Sequence, residues 1–434
     1  MCKGRILINK FYGLFSVDRQ FTNETIWNVA GFILAGISGL GLQVLTAASY
    51  DPSVLGILNL TLIIFTVYSQ ISGFGIHFSV LKHIPEYAQM RNDVDSIMVS
   101  SFMLTLFISV FFALIFYLLL LLSASLFKEK DLINSLLIVL PVIVLFPLNK
   151  VILSYLNGMR KMKIFAVYNS IRYVMWLVTV IIIMNLQIHP SRLSLVFTVS
   201  ESILFLALLP HSVKYMNLLK FFKLKKWNET NFRYGNKSVM GTIFADISTR
   251  MDVLILGIFT SNYIVGIYSM ASVVIDGFNQ LSITFRTLVN PIITRSYFND
   301  EKSVFRGKIR KGKKLYYLFL MPLILIVIVT YPYAISLLNL NEDFKAAYIP
   351  LIIMMAGLFL SAGYQPFQMI FNQTGFPGFQ SSFFGMILLS NGMLNFCLIP
   401  LFGITGASAA SALSMILVPF CINYLSRKSL GFSF

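Results

Sequence analysis

Several charged residues of this sequence stand inside long apolar stretches, where an unpaired charge is unfavourable. Asp246, Arg250 and Asp252 interrupt one such stretch. An ionisable side chain in hydrocarbon costs several kcal/mol unless it faces a partner or a water-filled cavity, so these three are the first candidates for function. Asp246 and Arg250 are four residues apart, which places them on one face of a helix and allows an ion pair, whereas Asp252 points elsewhere.

Arg250 has two interpretations. Its guanidinium presents a planar fork of donors that suits phosphate oxygens, so it could contact a phosphorylated substrate in a cavity. It could instead be only the structural partner of Asp246 and hold its helix in place. The sequence leaves both open.

A second group of polar residues lies at the start of another apolar stretch. Tyr168, Asn169 and Arg172 combine aromatic, amide and cationic groups of the kind that stack on sugars and donate hydrogen bonds to them. Arg172 could equally extend its charge to the membrane interface. The same interfacial placement is expected for Lys150 and Arg286, which stand near predicted inner helix ends.

Two acidic residues stand about midway along apolar stretches, where reaching the interface is difficult. Glu201 and Asp276 could each carry a proton or a cation, or could be charge partners for Arg172 or Arg250. Asp252 is open to the same roles.

Recognisable catalytic chemistry is missing from the sequence. The histidines and cysteines lack the spacing of metal ligands, and no nucleophile motif or glycine-rich phosphate loop occurs. Asp93 and Asp95 form a DxD-like pair, but they stand in a short loop, where they are expected to cap a helix. We therefore expect no catalytic residue, no metal and no cofactor.

The composition indicates that these candidates belong to a membrane protein. Hydrophobic residues make up 57% of the 434 residues and charged residues only 12%, with a mean hydropathy of +0.78. Apolar stretches repeatedly reach the roughly 20 residues that a helix needs to cross about 30 Å of hydrocarbon. The prediction is an all-α integral membrane protein of about twelve transmembrane helices. They are placed at 25–49, 53–81, 96–126, 132–156, 164–187, 191–213, 238–260, 263–290, 315–338, 346–374, 380–400 and 403–425.

The distribution of basic residues predicts the orientation. With both termini in the cytoplasm, 26 of the 34 lysines and arginines fall in inner segments and only four in outer loops. This is the pattern of the positive-inside rule. The net charge of +17 is therefore interpreted as a topology signal and an attraction to anionic lipid rather than as nucleic-acid binding.

An internal repeat indicates two related halves. At an offset of 210 residues, Gly56 aligns with Gly266 and Gln70 with Gln280, within a longer series of identities. Because each half holds an even number of helices, the repeats enter the membrane from the same side, as in transporters with parallel repeats.

The repeat predicts the domain organisation. We expect an N-terminal six-helix lobe at 1–213 and a C-terminal six-helix lobe at 238–434. A basic cytoplasmic linker, 214–237, joins them.

Four stretches of the sequence resemble a known family. The chain is similar to Wzx-type polysaccharide flippases of the multidrug/oligosaccharidyl-lipid/polysaccharide (MOP) superfamily. The stretches are LGILNLTLIIFTVYSQISGFGIHFSVLKHIPEY (55–87), YLNGMRKMKIFAVYNSIR (155–172), RMDVLILGIFTSNYIVGIYSMASVVIDGFNQL (250–281) and NGMLNFCLIPLFGITGASAASALS (391–414).

The resemblance implies a fold and a function. It implies two MATE-like six-helix bundles around a central cavity in the bacterial inner membrane, working by alternating access. The implied substrate is an undecaprenyl-diphosphate-linked glycan, an O-antigen or capsular repeat unit, with membrane lipids around it and polysaccharide polymerase machinery as a further partner.

Two other functions remain open. A MATE-type small-molecule exporter would use an acidic cation site in the N-terminal lobe, where Glu201 stands, but Lys150 and Arg172 disfavour cationic drugs there. A membrane polysaccharide polymerase or glycosyltransferase would need a site on a long outer loop, and the predicted outer loops are short. We therefore expect a transporter rather than an enzyme.

Overall fold

The computed structural model describes residues 19–123, 130–213, 224–299 and 301–433. Within these ranges all regular secondary structure is helical. The α-helices are α1 (Arg19–Ser49), α2 (Pro52–Gly73), α3 (Ile76–Glu86), α4 (Arg91–Ser123), α5 (Lys130–Ile138), α6 (Leu140–Gly158), α7 (Met162–Asn185), α8 (Leu195–Val213), α9 (Lys225–Phe259), α10 (Asn262–Asn299), α11 (Lys302–Leu337), α12 (Tyr348–Ser361), α13 (Ile370–Gln373) and α14 (Pro377–Ser429).

Nine segments of the described chain are long and apolar enough to cross a membrane. This confirms the all-α, multi-pass prediction, while the count of twelve stays a prediction. The last of these segments contains a reversal at Gly403, whose φ of 55° and ψ of −127° are not helical. Just beyond it, a Cβ on Gly406 would lie 2.2 Å from the carbonyl oxygen of Leu398, so the two arms fold back on each other. The arms correspond to the predicted helices 380–400 and 403–425.

Predicted helices are broken at several points in the structure. The helix predicted at 132–156 divides into α5 and α6 at Val139. The helix predicted at 53–81 divides into α2 and α3 because Phe74 and Gly75 adopt left-handed backbone angles, with φ of 49° and 65°. The helix predicted at 346–374 leaves the α-form at Ser361 and continues as a 3₁₀ turn around Pro366. Proline has no backbone N–H to donate and crowds the turn that precedes it. The helix therefore departs from the α-form in the turn around Pro366.

Exposed leucine faces identify surfaces that meet lipid. Leu114, Leu118 and Leu122 of α4 are spaced four residues apart and are all exposed. Leu318 and Leu325 of α11, seven residues apart, are exposed as well. Positions at these spacings share one face of a helix, so each row forms a continuous apolar stripe suited to hydrocarbon.

The segment predicted as a linker is partly structured. Helix α9 begins at Lys225, 13 residues before the predicted start at 238, while 214–223 lies outside the described residues. Trp227 and Asn231 are buried against the N-terminal half. The Asn231 amide donates to Ser100 Oγ at 3.0 Å, and Ser79 Oγ donates to Asn231 Oδ1 at 2.7 Å.

The two halves meet closely between α2 and α10. A Cβ on Gly56 would lie 1.9 Å from the carbonyl oxygen of Asn262, and one on Gly266 would lie 1.8 Å from that of Pro52. The helices therefore touch backbone to backbone, a packing mode for which small residues are needed in membranes. Gly56 and Gly266 are the glycines that the repeat aligns, so equivalent positions of the two halves face each other.

Candidate functional site

The C-terminal half holds a partly exposed ion pair. Arg250 of α9 and Asp276 of α10 approach to 2.6 Å between Nη2 and Oδ2. Their side chains are 26% and 35% exposed, so both remain open to a ligand. At Arg250 the backbone has φ of −139° and ψ of 18°, and α9 bends at this residue. The bend and the ion pair together fix where the guanidinium lies.

The bend changes the sequence interpretation of Arg250. Pairing it with Asp246 assumes an unbroken helix between the two residues, and the helix is interrupted at Arg250. The structure gives Arg250 a partner on the neighbouring helix, Asp276. The Asp246 side chain lies outside the described residues, so its predicted role stays a prediction.

Asp252 belongs to a buried hydrogen-bond network beside this pair. Its carboxylate accepts from the Tyr268 hydroxyl, from Ser411 Oγ at 3.1 Å and from the backbone N–H of Val253 at 2.9 Å. The Tyr268 and Ser411 hydroxyls also lie 3.2 Å apart. These donors satisfy a buried carboxylate and connect α9, α10 and α14.

The N-terminal half holds a second, fully buried ion pair. The Arg172 and Glu201 side chains are 6% and 2% exposed; Arg172 Nε pairs with Oε1, and Nη2 donates to Oε2 at 3.2 Å. Asn149 Nδ2 also donates to Oε2, at 2.8 Å. The group joins α6, α7 and α8. Because the pair is shielded from solvent and its two charges are paired with each other, this arrangement favours a structural role for Arg172.

Lys150 lies beside this cluster. Its amine is 4.9 Å from the centroid of the Phe146 ring, and the Arg172 guanidinium is 4.6 Å from the same centroid. Lys150 is half-buried and eight residues from the end of α6 at Gly158, about 12 Å along the axis. Its amine therefore lies over a buried ring. The only local signal is the four-residue spacing of Phe146 and Lys150.

The remaining sequence candidates lie in other contacts. Tyr168 shares a hydrogen bond of 3.1 Å with His211 Nε2, and Asn169 is half-buried on the same helix. Arg286, expected at the interface, donates to the carbonyl oxygen of Gln365 at 3.2 Å and to Gln368 Oε1 at 2.7 Å. It thereby satisfies the irregular backbone around Pro366. In the described part of the chain, no three histidine, cysteine or acidic side chains are grouped as a metal would require.

Several solved structures share the fold of this chain. The chain is similar to a structure described as lipid II flippase MurJ in an inward closed conformation, at 17% identity over 93% of this chain and 87% of that one, with a TM-score of 0.69. It is also similar to an inward-facing multidrug resistance MATE family transporter of the MOP superfamily, at 12% identity over 94% and 96%, with a TM-score of 0.67. A MOP superfamily transporter from Pyrococcus furiosus matches at 12% identity over 94% and 96%, with a TM-score of 0.64. The chain therefore shares its fold with solved transporters of the MOP superfamily.

The family follows from the sequence. A family model described as polysaccharide biosynthesis protein matches residues 21–298, and the chain belongs to this family. No curated protein sequence matches the chain. The resemblance to polysaccharide flippases is thus confirmed at the level of family and fold.

Proposed function

We propose that the protein is a flippase for undecaprenyl-diphosphate-linked oligosaccharide repeat units of O-antigen or capsular polysaccharide. It moves them from the inner to the outer leaflet of the cytoplasmic membrane, with both termini cytoplasmic. The family and the fold, shared with a structure described as a lipid II flippase, support a lipid-linked substrate. The observation that carries the proposal in this chain is the partly exposed Arg250–Asp276 pair.

Arg250 is the proposed diphosphate contact. Asp276 holds the guanidinium in one orientation while the site is empty, and the substrate diphosphate takes over part of that interaction when it binds. A guanidinium suits this exchange because two of its N–H groups can donate to two phosphate oxygens at once. The exposure of both side chains leaves room for the exchange, unlike the buried Arg172–Glu201 pair.

The N-terminal half contributes a second cationic region. Buried Arg172 positions Phe146, and half-buried Lys150 presents its amine over the same ring. In this proposal Lys150 contacts the negatively charged headgroup of the substrate, and Tyr168 and Asn169 contact its sugars.

Transport is proposed to proceed by rocking of the lobes 1–213 and 238–434. In this structure α2 and α10 are in contact at Gly56 and Gly266, the predicted outer ends of both helices. A diphosphate with about two negative charges gains roughly 4–5 kcal/mol on moving outward across about 100 mV, inside negative. The membrane potential can therefore drive export without a cofactor. Polysaccharide polymerase machinery would receive the product.

The MATE-type exporter is the second candidate, because MATE transporters share the fold. The N-terminal acid that such a site would use is Glu201, and Arg172 and Asn149 already occupy its carboxylate. Because the Glu201 carboxylate is already paired, it is a poor site for a cationic drug. This favours an anionic substrate over a cationic one.

Substitutions at the exposed pair test the proposal. Arg250→Lys keeps the charge and loses the fork, so we expect reduced transport at normal abundance; Arg250→Ala should reduce it further. Asp276→Asn and Asp246→Ala should be milder, since both keep the phosphate contact. The measurement is flipping of lipid-linked oligosaccharide in vesicles at matched protein amounts.

The double variant Arg250→Ala with Asp276→Ala separates substrate contact from a structural pair. If Arg250 binds substrate, the double variant folds and does not transport. Restored transport in the double variant would withdraw Arg250 from the substrate site. Arg286→Lys, which changes an arginine engaged with backbone and glutamine oxygens, is the matched control.

A further inference from the structure

A concave basic surface lies where the start of α9 packs against α3. We call it the basic pocket; its volume is about 620 Å³. Among the described residues, four cationic side chains and one carboxylate, that of Glu229, line it. The cationic residues are Lys82 from α3 and Lys225, Lys226 and Arg233 from α9. The rest of the lining is His83, Thr230 and Tyr234.

The four cations of the basic pocket are available to a ligand. All four side chains are exposed, and no ion pair joins them to a carboxylate within the described residues. The Lys82 amine lies 5.2 Å from the centroid of the Tyr234 ring, and the Lys226 amine lies 5.7 Å from that of Trp227. Like charges gathered in one concavity repel each other, so an anion bound among them is favoured.

The walls of the basic pocket are held by buried contacts. Trp227 is buried and packs edge-on against His83, with ring centroids 5.8 Å apart. Its ring also meets that of Tyr87 at 5.1 Å. One turn further along α9, buried Asn231 is hydrogen-bonded to Ser79 of α3. The cations therefore stand on a preformed surface, which lowers the ordering cost of binding.

An apolar side chain borders the same surface. Phe232, next to Arg233, is 48% exposed and stacks on Phe74 at 4.9 Å between centroids. The segment belongs to the inner side of the membrane by the distribution of basic residues. Basic clusters at this position attract anionic lipids. A ligand with an anionic head and an apolar tail matches both features.

We propose that the basic pocket binds the phosphate headgroup of an anionic phospholipid of the inner leaflet. Lys82 and Arg233 come from different helices, α3 of the N-terminal half and α9, which continues into the C-terminal half. A headgroup held by both joins the two halves on their cytoplasmic side. Anionic lipid thereby favours the arrangement in which the start of α9 is packed on α3.

Lipid binding to the purified full-length protein tests the proposal. The probes are dioleoylphosphatidylglycerol, dioleoylphosphatidylcholine and inorganic phosphate, with bound species counted by native mass spectrometry. The variant is Lys225→Gln with Lys226→Gln. Each lysine near a membrane surface contributes about fivefold to anionic-lipid binding, so the double variant should bind phosphatidylglycerol about 30-fold more weakly. Binding of phosphatidylcholine should not change.

The control is Lys311→Gln with Lys314→Gln. These lysines are exposed on α11 and do not line the basic pocket, so this variant should bind phosphatidylglycerol like the parent. Equal weakening in both double variants would show attraction to general surface charge and overturn the proposal. Phosphate binding that is lost in the first variant, with phosphatidylglycerol binding unchanged, would overturn it in favour of a soluble ligand. Equal thermal melting of all variants without lipid verifies that they fold.

Discussion

The close contact between α2 and α10 predicts how much an alanine at Gly56 destabilises the packing of these two helices. In Gly56→Ala the new Cβ would lie 1.9 Å from the carbonyl oxygen of Asn262, whereas ordinary contact begins at 3.4 Å. The helices must separate by about 1.5 Å, or the arrangement in which α2 and α10 touch, here called the closed arrangement, must be lost. Overpacking of this kind costs about 1–3 kcal/mol. Such an energy lowers the population of the closed arrangement by about 5- to 150-fold.

Spin labels at Asp51 and Ser261 measure this population. Both residues are exposed and directly precede α2 and α10 at positions that the repeat aligns. The distance distribution by pulsed electron resonance should shift to longer values in Gly56→Ala, and equally in Gly266→Ala. Gly277→Ala is the control on α10, because its Cβ meets nothing within 4 Å. Identical distributions in Gly56→Ala and Gly277→Ala would refute the reasoning, since any effect of alanine on helix propensity is common to both.

Two further predictions concern the buried pair and the topology. Glu201→Ala leaves Arg172 buried without its partner, at a cost of about 3–5 kcal/mol, so the melting temperature in detergent should fall. The double variant Arg172→Met with Glu201→Leu should recover most of the lost melting temperature. A double variant that melts as low as Glu201→Ala would contradict this prediction. Cysteines placed in 214–237 and 295–314 should be shielded from an impermeant thiol reagent in intact cells, while cysteines near Asn262 or Glu342 should react. The reverse pattern would contradict the orientation.

The sequence was sufficient for the features that depend on long apolar runs. The multi-pass helical fold follows from stretches of about 20 apolar residues, which have few alternatives to spanning a membrane. The paired glycines were visible as a repeat, Gly56 with Gly266. That they touch was not predictable, because an internal repeat specifies equivalence rather than contact.

The features that were missed depend on tertiary packing. Helix α9 begins at Lys225, inside a segment whose basic residues indicated a solvent-exposed linker. Its Trp227 is nevertheless buried. Asp276 was among the charge partners that the sequence offered for Arg250, but spacing could not choose it over Asp246. Asp276 is distant in sequence, and the bend at Arg250 removes the local face that suggested Asp246.

The central claim is that this chain moves a lipid-linked oligosaccharide across the membrane without altering it. The direct measurement uses purified protein in vesicles containing polyprenyl-diphosphate-linked oligosaccharide, an impermeant reagent that modifies sugars on one face, and mass spectrometry of the recovered lipid. The account predicts that the protein increases the fraction of oligosaccharide reaching the reagent, relative to protein-free vesicles, with the mass of unmodified lipid unchanged. An unchanged accessible fraction, or a longer or cleaved oligosaccharide, would contradict it.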